Sequence, residues 1–308
     1  MKNNIVIGAS GVSLAAILWG FDGVVLTPRL HNLSVEFVVF MLHLIPFAIM
    51  SVFMSKQFRK ISTFSKGDLI SILLVGLFGG AIGTIAIVKA LFLVDFSHVS
   101  IVVLLQKLQP VFAIVLAAII LKEKIKGRFL LWAIIAITSG YFMAFGLNLP
   151  DFRNDATTIT ASLLAIVAAA SFGSSTVFSK KVLKKNDFKT STFFRYGFTT
   201  LFMLIYLLIN PSLFNGFEKA TQQNWVFFVI IGLTTGSGAI FIYYYGLAKI
   251  NAIMSAICEL FFPVSVFVFD FLINGHTLPP FQWISACVML ASVIMLNIDN
   301  RRSMLRKI

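Results

Sequence analysis

Charge is scarce in this chain, and acid is scarcer than base. Asp and Glu number 12 against 25 Lys and Arg among 308 residues, and charged residues are 12% of the total. Soluble domains keep roughly 25% charged residues to cover their surface. This surface is therefore expected to face something apolar, which excludes most soluble enzymes. Cysteine is nearly absent. Cys258 and Cys287 lie inside apolar runs and form no CxxC pair, so they read as small buried residues, with neither a disulfide nor a metal site expected. The chain also lacks GxxxxGK(S/T), HExxH, clustered His and Asp ligands and a nucleophile elbow. These absences argue against an ATP-driven engine and against an enzyme; no cofactor and no metal ion is expected.

What is abundant is apolar surface: 58% of residues are hydrophobic and 33 are Phe. Ten stretches can be laid out near 5–26, 34–54, 68–93, 98–121, 128–147, 159–179, 190–210, 224–247, 252–273 and 279–297. Each is long enough to cross roughly 30 Å of hydrocarbon as a helix. Breaks are expected at Pro28, Asn32, Asn148 to Pro150, Asn210-Pro211, Asn274-Gly275 and Pro279-Pro280, with short links at 95–98 and 249–251. Lys2 and the apolar run after it read as a first span, because no small-residue cleavage site follows. The expected fold class is thus an all-α integral membrane protein of ten transmembrane helices.

The net charge of +13 could suggest nucleic acid. Its distribution says otherwise. With the N-terminus inside, nineteen Lys and Arg fall on inner loops and tails, and only Arg29, Arg153 and Lys219 fall outside. Lys89, Lys107 and Arg195 remain within spans. That asymmetry is the positive-inside pattern, and it places both termini in the cytoplasm of a cell inner-membrane protein. The partners expected are the lipid bilayer and a small-molecule substrate, with proton coupling an option and nucleic acid not expected. A monomer and a homodimer both fit.

Sliding the chain on itself by 153 residues brings Gly79 onto Gly232, Gly83 onto Gly236, Ala86 onto Ala239, Pro110 onto Pro263 and Val111 onto Val264. Gln106 meets Glu259. Near the start, an offset of 151 sets Leu18 to Phe21 on Ala169 to Phe172. The halves are expected at 1–150 and 151–308. Five spans per half, an odd number, force opposite orientations, the inverted repeat of alternating-access carriers.

The segment from Ile101 to Lys126, IVVLLQKLQPVFAIVLAAIILKEKIK, with its Leu121-Lys122-Glu123-Lys124 ending, resembles the fourth span and following loop of the EamA family in the drug/metabolite transporter superfamily. Ala16 to Gly20, AILWG, resembles that family's first span. The resemblance covers nearly the whole chain. It implies ten helices, inverted topology and a central cavity, and leaves the substrate open. The second half departs from the pattern, with Gly275-His276 in place of the Leu-Lys-Glu ending.

Three ionisable residues fall near the bilayer middle: Lys107, Glu259 and His43, each roughly 12–14 Å deep at the standard helical rise. Charge at that depth costs about 2.5–3.5 kcal/mol, so these groups should face protein or water. Lys107 is expected to hold an anionic substrate group and Glu259 a cation or a proton, unless the two simply pair with each other. Gln106 and Gln109 would add hydrogen bonds, and Ser255 lies one turn from Glu259. His43 is either proton-sensitive or a satisfied histidine bonded across helices. Arg195 lies close enough to the inner end of its span to snorkel, but it matches His43 at an offset of 152, which favours an inward-facing role for both and makes Arg195 a substrate-binding candidate. Tyr243, Tyr244, Tyr245 and Trp19 could line a cavity, although tyrosines at a helix end often serve as interfacial anchors. Lys89, Asp95, His98, Asp22 and Asp270 are expected toward the outer surface, either as ordinary interfacial residues or as an outer gate of salt bridges. Pro110 and Pro263 are candidate hinges or static bends. Gly76, Gly79, Gly80 and Gly83, with Gly232, Gly236 and Gly238, suit close helix packing.

The function expected is a secondary carrier of small polar metabolites, an exporter of amino acids or related compounds. The alternatives are a non-transporting receptor or assembly subunit, and a flippase for lipid-linked substrates on the same fold.

Overall fold

The structure, a computed structural model, describes residues 2–94, 102, 105–106, 108–124, 127–147, 156–275, 277 and 279–305. Among these residues the regular structure is helical, with no strand. Seven helices are long and apolar enough to cross a membrane: α1 (Asn3–Leu30), α2 (Val35–Phe53), α3 (Lys66–Leu93), α6 (within Ala156–Leu183), α7 (Phe188–Ile209), α8 (Gln222–Lys249) and α9 (Ala252–Asn274). Three others, α4 (Gln109–Ile120), α5 (Gly127–Phe145) and α10 (Pro280–Leu305), carry shorter apolar stretches. Their order follows the expected spans. Several run further than the apolar stretch alone, as α6 does through Lys180 and Lys181, because lysine favours helix and carries its charge outward on an apolar stem.

Helix starts are set by local chemistry. Ser65 accepts the Asp68 N–H before α3, Asp187 accepts the Thr190 N–H before α7, and Asn251 accepts the Met254 N–H before α9. Thr221 and Asn224 form a reciprocal capping box on α8. The link before α9 is as short as the sequence suggests, two residues: Ile250 is extended (φ −121°, ψ 166°) and Asn251 already caps the next helix. Pro28 closes α1 in a 3₁₀ turn, Thr27–Leu30.

The helices pack mostly across the two halves. α1 lies on α8 and α9, α6 lies on α3 and α4, α2 packs on α7, and α5 packs on α10. Exchanging α1–α5 with α6–α10 maps this pattern onto itself, as a pseudo-twofold arrangement requires. Three helices carry π-helical segments, at Asp22–Leu26 in α1, Val75–Ile82 in α3 and Gly232–Gly236 in α8. Those in α3 and α8 cover the repeat-matched Gly79 and Gly232. A π turn leaves backbone carbonyls free for other partners and often marks a functional position.

Small residues allow this close approach. A Cβ on Gly80 would collide with the Thr199 side chain of α7, and one on Gly79 would collide with Ser175 of α6. Overpacking of this kind costs about 1–3 kcal/mol, and more where backbone must move. Gly80→Leu is therefore expected to lower the thermal unfolding temperature in detergent by several degrees. Gly127→Leu, whose Cβ meets nothing within 4 Å, should leave it nearly unchanged.

The basic-loop side carries two bridges between the halves. Lys60 Nζ lies 2.8 Å from Asp187 Oδ2, with the side chains 44% and 46% exposed. Gln57 Oε1 also accepts the Thr190 hydroxyl at 2.6 Å. Burial alone would raise the Asp187 carboxyl, but its bonds to Lys60 and Thr190 overcome that and hold it at about 2. A depressed carboxylate contributes stability above its unfolded pKa, and that contribution is lost only as pH falls towards about 2. The bridge is therefore fully charged at any neutral pH, and at this exposure it is worth about 1 kcal/mol or less. The second bridge runs from Glu123, whose carboxylate accepts the Ala252 and Ile253 N–H groups at 3.0 and 3.1 Å.

Candidate functional site

A cavity of about 260 Å³ lies between the halves. Its walls come from α1, α2, α3, α4, α6, α7, α8 and α9, with Gln106 just before α4. Of the sequence candidates, Trp19, His43, Gln106, Gln109, Arg195, Glu259, Pro110 and Pro263 line it. Ser255 and Tyr244 stand one layer behind, bonded to lining residues. Lys107, with Asp95 and His98, lies outside the described residues.

α9 pauses where Glu259 sits. Residues 259 and 260 form a turn between two helical segments, and Pro263 falls in the first turn of the segment after it. Pro110 holds the matching place at the start of α4. Both prolines therefore stand at segment starts, where a missing N–H costs little, rather than as kinks inside a continuous helix. A discontinuous helix at the interface of two repeats is the usual construction of a carrier site.

The Glu259 carboxylate is held by neutral donors. Tyr243 donates to Oε1 at 2.8 Å, Ser255 at 3.2 Å and Thr176 at 3.4 Å, and the Gln109 amide bonds Oε2. Tyr243 also lies 2.9 Å from Thr176 and packs on Trp19 with ring centroids 5.3 Å apart. These contacts join α4, α6, α8 and α9 at one carboxylate.

Of the two placements open to Arg195, the structure has the inward one. It is 8% exposed and is turned into the bundle, where Nη2 donates to the Gly79 carbonyl at 3.1 Å and Nη1 to the Tyr244 hydroxyl at 3.3 Å. The Gly79 carbonyl lies in the π segment of α3 and also accepts the Thr84 hydroxyl at 3.3 Å. Serine and tyrosine complete the polar layer, with Ser179 2.7 Å from the Tyr244 hydroxyl. His43 bonds its own helix rather than a neighbour: Nδ1 lies 2.8 Å from the Val39 carbonyl, and the ring sits on Tyr196 at 5.2 Å. Tyr245 is an exposed residue with Lys249 over its ring, 4.2 Å from the centroid, in keeping with an anchoring role.

Asp22, expected toward the outer surface as an interfacial or gate residue, lines the cavity, in the π segment of α1. Thr176, Ser175, Tyr196 and Thr235 join the same wall without having been singled out as candidates. Their signal in the sequence is weak, since serine and threonine are common in spans; Asp22, an acid directly after Trp19-Gly20-Phe21, was the readable one. Six buried side-chain polar atoms among the described residues have no hydrogen-bond partner. Five of them belong to cavity residues: Asp22, Gln106, Ser175, Arg195 and Thr235. Buried polar groups are nearly always paired, so this concentration marks where a polar ligand would complete the set. No group of three or more His, Cys, Asp or Glu among the described residues could hold a metal ion.

Comparison with known proteins agrees with this architecture. The EamA-like transporter family matches twice, over residues 6–145 and 159–298. A curated relative, "Riboflavin transporter ImpX" of Fusobacterium nucleatum subsp. nucleatum, is 49% identical over 296 residues, covering 96% of this chain and 99% of the relative. A crystal structure of another protein aligns with a TM-score of 0.68 at 13% identity, over 96% of this chain and 98% of that one, a likeness of fold alone. With two family repeats, a multi-pass apolar helical fold and a cavity between halves that holds several buried polar groups, the chain belongs to the EamA-like transporter family and is a membrane transporter.

Proposed function

We propose that the chain carries a flavin of the riboflavin type by alternating access, with Glu259, Gln109, Gln106, Trp19, Arg195 and His43 forming the substrate site and Ser255 and Tyr244 supporting it. The observation that carries this reading is the composition of the cavity wall. Aromatic faces from Trp19, Phe172, Tyr196 and Tyr243 stand beside the neutral hydrogen-bonding groups of Gln106, Gln109, Thr84 and Thr176. A flat heteroaromatic ring system with a polyhydroxyl chain needs both, ring stacking for one part and mixed donors and acceptors for the other. The 49% identical relative, named a riboflavin transporter, supports the same substrate class.

The halves, residues 1–150 and 151–308, are read as five-span inverted repeats, so ten spans cross the membrane and the basic loops face the cytoplasm. Without an ATP-binding motif the driving force is a gradient of substrate, or of protons through Glu259 or His43. A second reading has one observation in its favour. Arg195 and Glu259 line one cavity, as a zwitterionic amino acid would require.

Flavin fluorescence separates the two. Purified protein should quench riboflavin fluorescence saturably as the ring stacks in the cavity, and Trp19→Ala should weaken that binding. Quenching that is absent with folded protein overturns the flavin reading. Quenching displaced by millimolar amino acids would turn the assignment to the zwitterion.

A further inference from the structure

Glu123, in the loop after α4, belongs to the first half, yet its carboxylate spans to the start of α9 in the second. It takes the first two N–H groups of that helix, and Asn251 takes the third. The first turn of a helix leaves its N–H groups without internal partners and carries partial positive charge, so an anion there is doubly favoured. The backbone is shaped for this contact. Lys122 adopts the left-handed conformation at φ +55°, the one non-glycine residue among those described to do so. That turn lets the Glu123 N–H return to the Ala117 carbonyl at 3.2 Å and sends the side chain across to α9. A lysine in that conformation is strained, and such strain persists where the surroundings fix it.

The other side of the same link is held as well. Lys180 of α6 donates to the Leu247 and Ala248 carbonyls at 2.9 and 3.1 Å. Carbonyls that end α8 and amides that begin α9 are thus both held, around Ile250 and Asn251. The repeat exposes an asymmetry. The 153-residue offset sets Lys122 on Gly275, which is also left-handed at φ +72°, but sets Glu123 on His276. The turn is kept in both halves, whereas the acid is present only in the first.

We propose that Glu123 is a one-sided latch: its bonds to the Ala252 and Ile253 amides close the basic-loop side of the cavity and must break each time that side opens. The proposal uses the transporter reading for one of its two readouts only, so the two can fail separately.

The first readout is access. Thr84→Cys places a thiol in the cavity wall, and a membrane-impermeant thiol reagent is applied from either face of oriented vesicles, with the parent chain and its two native cysteines as background. Adding Glu123→Ala should raise labelling from the basic-loop face roughly ten- to a hundredfold, the scale of its two charge-assisted hydrogen bonds. Labelling from the opposite face should fall. Glu123→Gln should act in the same direction more weakly. Lys122→Gly, which suits a left-handed turn, and Lys124→Ala, at an exposed neighbour, should behave like the parent. Unchanged labelling in both Glu123 variants overturns the latch. The second readout covers a Glu123→Ala chain that does not insert. Glu123→Cys with Ala252→Cys, joined by a short bifunctional thiol crosslinker, should arrest solute exchange and recover when the link is cleaved. A crosslinked protein that exchanges solute at the uncrosslinked rate also overturns it.

Discussion

Glu259→Gln is expected to reduce transport by roughly ten- to a hundredfold while the protein still inserts and folds. The size follows from the contacts. Three hydroxyls and one amide converge on this carboxylate, and a hydrogen bond to a charged group contributes about 1.5–3 kcal/mol. Gln keeps the shape and one acceptor oxygen, but its amide nitrogen brings hydrogens towards a donor already present. At least one of Tyr243, Ser255, Thr176 and Gln109 must then turn away. Those four residues come from α8, α9, α6 and the start of α4, so the disturbance reaches the interface between halves rather than one helix. Glu259→Ala should cost more, because it leaves buried donors without any acceptor. Transport rate in vesicles, normalised to inserted protein, measures the effect. Wild-type rates in both variants would remove Glu259 from the site.

Arg195→Ala is the second large effect, expected to lower transport roughly a hundredfold and thermal stability together. The guanidinium is buried and bonded to the Gly79 carbonyl in the π segment of α3 and to a tyrosine hydroxyl on α8, so its loss breaks both contacts and leaves the Gly79 carbonyl with the longer bond from the Thr84 hydroxyl. Two charge-assisted bonds lost give about 3 kcal/mol or more, hence the hundredfold. Arg195→Lys tests geometry apart from charge. A lysine keeps the cation but cannot form the two-pronged contact, so partial transport with reduced stability is the expected pattern. Transport in Arg195→Lys as low as in Arg195→Ala would mean that the fork matters more than the charge. Wild-type transport in both would place Arg195 in a purely structural role.

Much of the scaffold can be read from the sequence because a bilayer imposes a simple rule: long apolar runs must be helical. The repeat could be read because glycine and proline survive where backbones meet. Gly79 and Gly232 matched at 153 residues, and the structure places both in π segments of matching helices. Glu259 stood out for one reason, that an acid in an apolar run has to be accommodated. Arg195 shows the limit of depth arithmetic. Its distance from a span end allowed an outward reach, but the side chain's direction depends on which helix face meets α3 and α8, and that is a tertiary fact. Asp22 failed the same way: a place near a span end looked interfacial until the π segment of α1 turned it to the cavity. Tyr244 and Tyr243 are adjacent, yet one lines the cavity and the other supports Arg195, a difference of about 100° around a helix that apolar periodicity does not resolve. Glu123 was visible as part of a motif, but its partners lie 129 and 130 residues away, which no local pattern could supply.

The central claim is that the cavity between the halves carries a flavin across the membrane. Counterflow tests it most directly: liposomes containing the protein are loaded with unlabelled riboflavin, and entry of labelled riboflavin is followed against empty ones. The account predicts transient accumulation of label that depends on the internal flavin and disappears with Glu259→Gln. Label entry equal to that of protein-free liposomes, from protein shown to be folded and inserted, would contradict it.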